Sequence, residues 1–356
     1  MENFYLTREQ SRAIKGLLIF LIVLGHNAVF TNALPGSFMY IYLFHVQAFF
    51  MLPFLYNIKE RESFKASFSK NFIRLLYPYI LFFIILSALN YGVINILGQK
   101  VDLNTLFGTE YSNNFLYFIN AILTGNYYLI DSFTALQYLW FLPVMFSMML
   151  LINLNPTGVK KYMLGIAGVV SYVLFIVFMY KKPYSDIVNF EIMKYSPFAI
   201  FQGIGVWFMG MSFVSILRNN KTNKLIKYSP VLFVAFSVLF FMYRKTDLYY
   251  LIRFFMPFFF MGTIWLLRDK ISRIDFLKKF GDLSFSIYII HPLLCSMLYM
   301  VCQKYFGINL IYACIVQVVV FMISYYMAYL INKFTIIRKL FFPRSWEELK
   351  SVVNFK

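Results

Sequence analysis

Ten stretches of this chain, each roughly 16 to 25 residues long, run with scarcely a charge inside them, and about 20 apolar residues are what a helix needs to cross a bilayer core. They fall at about 14–30, 37–57, 76–97, 133–153, 162–180, 196–217, 228–243, 248–268, 281–301 and 308–332. Lipid offers no partner to backbone N–H and C=O groups, so each run must satisfy its own as a helix. Composition agrees, with 61% hydrophobic and 13% charged residues where a soluble domain has roughly 25% charged. A soluble enzyme and a disordered chain are both excluded. The expected fold is all-α: a polytopic membrane protein of about ten transmembrane helices with both termini cytoplasmic. It forms one membrane domain over residues 1–356, with a short basic cytoplasmic tail at 339–356.

The charge pattern sets the orientation. Lys and Arg number 33 against 15 Asp and Glu, a net charge of +18. With the N-terminus inside, 25 of the 33 fall in inner segments and 7 in outer ones, while Arg253 lies within the eighth span. That is the positive-inside bias of a membrane protein. Counting Asn114 to Leu123 as an eleventh crossing inverts everything downstream and leaves 14 inside against 18 outside, so ten is preferred. Orientation accounts for most of the basic excess, and nucleic acid is not needed as a partner. Arg8, Arg12 and Lys15 before an apolar run imitate a signal peptide, but a clear small-x-small cleavage site is missing. Cys295, Cys302 and Cys314 make no CxxC pair and lie in apolar sequence, which reads as packing rather than zinc or a disulfide framework.

The three histidines, His26, His45 and His291, all fall inside expected spans, whereas nearly every other ionisable group falls in a loop. A histidine in a membrane helix lines a cavity or proton path, or is hydrogen-bonded to a neighbouring helix for structural reasons alone. Lys15 lies eleven residues before His26, about 16 Å along a helix and within about 20° of the same face. A donor with phosphates at one end and a reactive centre at the other spans that distance; otherwise Lys15 snorkels and helps set topology. His291 precedes Pro292, which removes a helical hydrogen bond and either exposes carbonyls to a cavity or makes a packing kink. Arg253 reads as a snorkelling residue or as a ligand for an anionic or oxyanionic group. No Asp or Glu lies deep in any span, which disfavours a proton-coupled transporter. There is no HExxH, Walker loop or GxSxG, so metal, nucleotide and serine-hydrolase chemistry have no anchor, and no metal site is expected. Between spans two and three, Phe64, Phe68, Phe72 and Leu75 recur at helical spacing with Lys70 and Arg74 on the other face, an amphipathic helix suited to a membrane surface. The segment from about Gly98 to Ser132 is the longest outer loop, a place for a lid or acceptor platform.

The stretch SRAIKGLLIFLIVLGHN, Ser11 to Asn27, resembles the first helix of the acyltransferase-3 family of integral-membrane acyltransferases, and is most similar to its sugar O-acetylase branch. The likeness continues in order through LFHVQAFF (Leu43 to Phe50), IRLLYPY (Ile73 to Tyr79), YLWFL (Tyr138 to Leu142) and SFSIYIIHPLL (Ser284 to Leu294). The resemblance implies transfer of an acyl group, most often acetyl from acetyl-coenzyme A (acetyl-CoA), to a hydroxyl of a cell-surface or secreted carbohydrate. It implies His26 as the essential catalytic residue, with Lys15 standing where the family usually has arginine. Donor phosphates are expected on Lys15, Lys70 and Arg74, although Asn71 occupies the place of the second arginine in the family's cytoplasmic motif. His45, Trp140 and His291 match recurrent family positions and, with Arg253, are expected to bind substrate; Trp140 also suits an interfacial belt. Acetyl-CoA enters as a substrate and no permanently bound cofactor is expected. The other partners are a carbohydrate or lipid-linked glycan and the bilayer, in what the resemblance makes a bacterial plasma membrane. Two rivals remain, a noncatalytic glycan or lipid translocator or polysaccharide-export partner, and a structural membrane subunit.

Overall fold

The computed structural model describes residues 5–56, 62–97, 115–126, 130, 137–154, 160, 162–170, 197–218 and 224–353. Every regular element among them is helical. Most of the 98–132 segment and the second half of the fifth expected span lie outside the described residues. Among the described residues, six helical stretches are long and apolar enough to cross a membrane: Ser37–Leu55, Phe64–Leu89, Phe198–Arg218, Leu248–Leu266, Ser284–Phe306 and Leu310–Lys333. Tyr138–Leu154 and Ser229–Tyr243 are shorter apolar helices. The Phe115–Thr124 helix has 10 residues, about 15 Å, half the thickness of a hydrocarbon core. The chain is an all-α, multi-pass membrane protein, and its contacts divide it into two compact units.

The first unit comprises Met1–Lys59 and Met209–Leu330. Its Arg8–His26 helix starts with a capping box: Thr7 Oγ1 accepts the Gln10 N–H at 3.2 Å, and Gln10 Oε1 accepts the Thr7 N–H at 2.7 Å. Such a cap contributes about 1 kcal/mol. Ala13, Ile14, Leu18, Ile19 and Val23, which recur every four or five residues, are all fully buried and give the helix its packed face. This helix lies against the Asp275–Asp282 and Ser284–Val301 helices. Two glycines make the first of these crossings possible, since a Cβ at Gly16 would strike the Leu277 carbonyl and one at Gly281 the Arg12 carbonyl. Arg12 then pairs with Asp282 and with Glu9, locking the helix ends together.

Asn27 ends the first helix in extended backbone, φ −73° and ψ 92°. Its side-chain oxygen accepts the Phe30 N–H at 3.1 Å and its amide donates to the Ala313 carbonyl at 3.0 Å. The chain therefore restarts as the Ala28–Ala33 helix. The second expected span is also interrupted: helix holds over Ser37–Ile41 and again over His45–Met51, with a turn at 42–44 between them. Opposite, Ser229–Tyr243 and Leu248–Leu266 pack side by side, with Ser229 filling the space a side chain at Gly262 would need. Phe44, Phe233 and Phe260 pack there in tilted and edge-on pairs with centroids 4.3 to 5.3 Å apart, which is where part of the aromatic richness is used.

The second unit comprises Glu60–Phe208 and Ile331–Lys356. The amphipathic segment expected between spans two and three is continuous with the third span: Phe64–Asn71 passes through a π turn at Phe72–Leu76 into Tyr77–Leu97. Ser67, fully buried, accepts hydrogen bonds from Asn71 at 3.2 Å and Asn153 at 2.7 Å, fastening this helix to Phe141–Leu154. The tail is structured as the Thr335–Phe341 and Trp346–Val353 helices.

Candidate active site

His26 is the last residue of an unbroken helix that also carries Lys15, so the eleven-residue spacing does place both on one stripe about 16 Å apart. The His26 Nδ1 lies 2.9 Å from the Ile22 carbonyl oxygen. A carbonyl only accepts, so Nδ1 carries the proton and Nε2 presents its lone pair. That lone pair accepts the Tyr42 hydroxyl at 2.9 Å. The other two histidines follow the same rule. His291 Nδ1 donates to the Ile287 carbonyl at 3.0 Å, and His45 Nδ1 to the Ile41 carbonyl at 2.5 Å. Each ring thereby turns a basic Nε2 away from its own helix.

These residues form one cluster. His291 Nε2 lies 3.3 Å from His26 Nδ1, with ring centroids 5.0 Å apart. Tyr42 is edge-on to His45 at 4.7 Å. His45 and His291 are fully buried, and among the described residues the His45 Nε2 has no hydrogen-bond partner. Sequence reasoning singled out the three histidines but missed Tyr42 and Gly25. Tyr42 sits in the 42–44 turn, where irregular backbone swings it toward the end of the first helix, and its only sequence signal is its place three residues before His45. Gly25 makes room for it: a Cβ there would lie 3.2 Å from the Tyr42 ring and 3.7 Å from His45 Cε1.

Lys15 is half-buried and makes no hydrogen bond or ion pair among the described residues, whereas its neighbour Arg12 is committed to Asp282 and Glu9. Arg253 is 2% exposed and its Nη1 donates to the Tyr249 hydroxyl at 3.0 Å. It is thus held inside its unit, and the snorkelling reading does not apply. Pro257, four residues on, lacks the N–H that would bind the Arg253 carbonyl in a regular helix.

Lys70, Arg74 and Trp140 belong to the second unit. Lys70 pairs with Glu62. Arg74, exposed on the π turn, donates through Nε to the Arg344 carbonyl at 3.1 Å, which leaves both terminal nitrogens of the guanidinium outside that bond. Trp140 is half-buried and edge-on to Phe198 at 6.1 Å. Among the described residues no group of three His, Cys, Asp or Glu side chains is arranged to hold a metal ion.

A neutral imidazole with its proton fixed on one nitrogen and its lone pair facing a hydroxyl can accept a proton from that hydroxyl. A family model described as an acyltransferase domain matches residues 10–329, a range that contains the whole cluster. The chain belongs to the acyltransferase-3 family. No curated protein and no solved structure matches it. As a member of that family it is a multi-pass membrane acyltransferase, which takes an acyl donor and an acceptor at the bilayer.

Proposed function

We propose that this acyltransferase moves an acetyl group from cytosolic acetyl-CoA to a hydroxyl of a cell-surface or secreted carbohydrate, at the cell membrane, with His26 as the general base. The observation that carries the reading is the bond between His26 Nε2 and the Tyr42 hydroxyl, because it marks where an acceptor hydroxyl finds a base. In the proposed reaction His26 Nε2 takes the proton of the acceptor hydroxyl as its oxygen bonds to the thioester carbonyl carbon. The carbon–sulfur bond breaks, and the departing thiolate recovers the proton from Nε2. The products are an ester and the free thiol of coenzyme A.

Lys15 is the cation of the His26 helix that a phosphate-bearing donor meets, and its having no ion pair among the described residues supports that role. Arg74 offers a forked guanidinium of the kind that binds phosphate through two hydrogen bonds, and Lys70 adds a point charge. Arg253 and His45 are proposed to bind substrate, Arg253 as the buried cation and His45 through its uncommitted lone pair. Trp140 presents an aromatic face suited to a sugar ring.

The test is transfer of labelled acetyl from acetyl-CoA to surface glycan by wild type and His26→Ala at equal membrane abundance. A loss of about 1000-fold or more is expected, the scale of removing a catalytic base. Equal transfer by both proteins removes His26 from the chemistry, and unchanged acetylation with altered glycan export favours a translocator.

A further inference from the structure

A general base needs an orienting partner that keeps the right nitrogen protonated and stabilises the cation formed when it takes a proton; in hydrolytic triads a carboxylate does this. The apolar spans that carry the three histidines have no Asp or Glu deep within them. We infer that His291 fills the carboxylate's place as the positioning residue of His26, an inference that rests on His26 being the base.

The argument is one of proton bookkeeping. His291 Nδ1 is held on the Ile287 carbonyl, so its Nε2 is an acceptor and nothing else. That acceptor faces the one nitrogen of His26 whose proton must stay in place, Nδ1, at 3.3 Å. The His26 Nδ1–H is therefore shared between the Ile22 carbonyl at 2.9 Å and His291 Nε2. Flipping the His26 ring would break both contacts together with the Tyr42 bond.

When His26 Nε2 takes the acceptor proton, the charge spreads over both nitrogens, and the two lone pairs already at Nδ1 bind the imidazolium more tightly than the neutral ring. The cation also forms at the C-terminal end of the Arg8–His26 helix, the end of the dipole that favours positive charge. His291 is fully buried, so water does not compete for its lone pair. In this role it moves no proton; it acts through His26.

The test measures acetyl transfer from labelled acetyl-CoA to membranes carrying the native glycan, using full-length protein and the variants His291→Phe, His291→Gln, His26→Ala and His26→Ala/His291→Phe. His291→Phe keeps a ring but no acceptor, and is expected to lower kcat about 100-fold with the KM for acetyl-CoA within about threefold. His291→Gln, which restores an acceptor oxygen, is expected to recover about tenfold of that loss. In the His26→Ala background the Phe substitution should cost nothing further, because residues acting as one unit are not additive. The inference is overturned if His291→Phe keeps kcat within about threefold of wild type, if Gln recovers nothing, or if the loss multiplies in full on top of His26→Ala. Wild-type transfer by His26→Ala alone would instead overturn the base assignment, so the two failures are told apart.

Discussion

The histidine cluster and the Lys70–Arg74 segment hold the chemistry-bearing groups in opposite ways. Around His26 each imidazole is anchored through Nδ1 by rigid backbone: three carbonyls one turn back set three tautomers, and a glycine lets a broken helix bring up the tyrosine. Along the 64–76 segment the cations are exposed and lightly held, Lys70 by one ion pair and Arg74 by one carbonyl. The first arrangement suits chemistry, which penalises displacements of an ångström. The second suits recognition of a flexible anion, where each contact adds its own modest increment. Crowding a residue should therefore be costly in the cluster and cheap on the segment.

Gly25→Val applies the largest stress. Its branched side chain would press on Tyr42 and Ile41, which a lone Cβ already meets at 3.2 and 3.3 Å. We expect kcat for acyl transfer to fall about 100-fold or more, with the protein still present in the membrane. A value near wild type would show that the tyrosine and histidines tolerate displacement and that the comparison is false. Arg74→Ala should do something different and smaller, raising the KM for the acyl donor about tenfold, the scale of one charge-assisted hydrogen bond, with kcat nearly unchanged. A matching fall in kcat would move Arg74 out of recognition and into catalysis.

What could be read from the sequence follows the same division. The apolar runs required helices, and the Lys15 to His26 spacing needed only an unbroken helix, which Thr7 and Gln10 start and Asn27 stops. Local pattern was enough for both. The cluster depends on residues far apart in the chain, His26 and His291 being 265 positions apart, and no local pattern encodes which helices meet. Gly16 and Gly281 bring the first helix against residues near 280, but each looks like an ordinary small residue in its own stretch. Tyr42 was hidden because an apolar run gives no sign that its helix breaks at 42–44. The segment before the third span reads as an amphipathic surface helix, with no sign of its continuity with that span, because a π turn that carries one helix into the next leaves the amphipathic period on either side intact.

The tail sharpens the comparison by its effect on Arg74. Trp346 stacks on Phe72 at 5.8 Å and donates to Ser69 Oγ at 2.9 Å, a pairing that contributes about 1 kcal/mol. It joins Arg344, whose carbonyl holds Arg74. The Trp346–Val353 helix is itself organised by Glu348, whose N–H is accepted by Ser345 Oγ at 3.3 Å and whose carboxylate takes both terminal nitrogens of Arg338, at 2.9 and 3.0 Å, and the Arg344 N–H. The hydrogen bonds from Arg338, with a smaller contribution from the Arg344 N–H, lower the Glu348 pKa below the ordinary carboxylate value. A depressed acid stabilises the docked tail at pH above its unfolded pKa of about 4.3 and loses that contribution as pH falls through the lower, folded value. Hydrogen exchange at residues 346–353 should accordingly be flat from about pH 7 to pH 5, after correction for intrinsic rates, and loosen below about pH 4. Glu348→Gln should show the loosened exchange already at neutral pH, with a rise in donor KM smaller than that of Arg74→Ala. If the Gln variant exchanges as slowly as wild type, the carboxylate does not hold the tail, and the grip on Arg74 must come from the Trp346 stack alone.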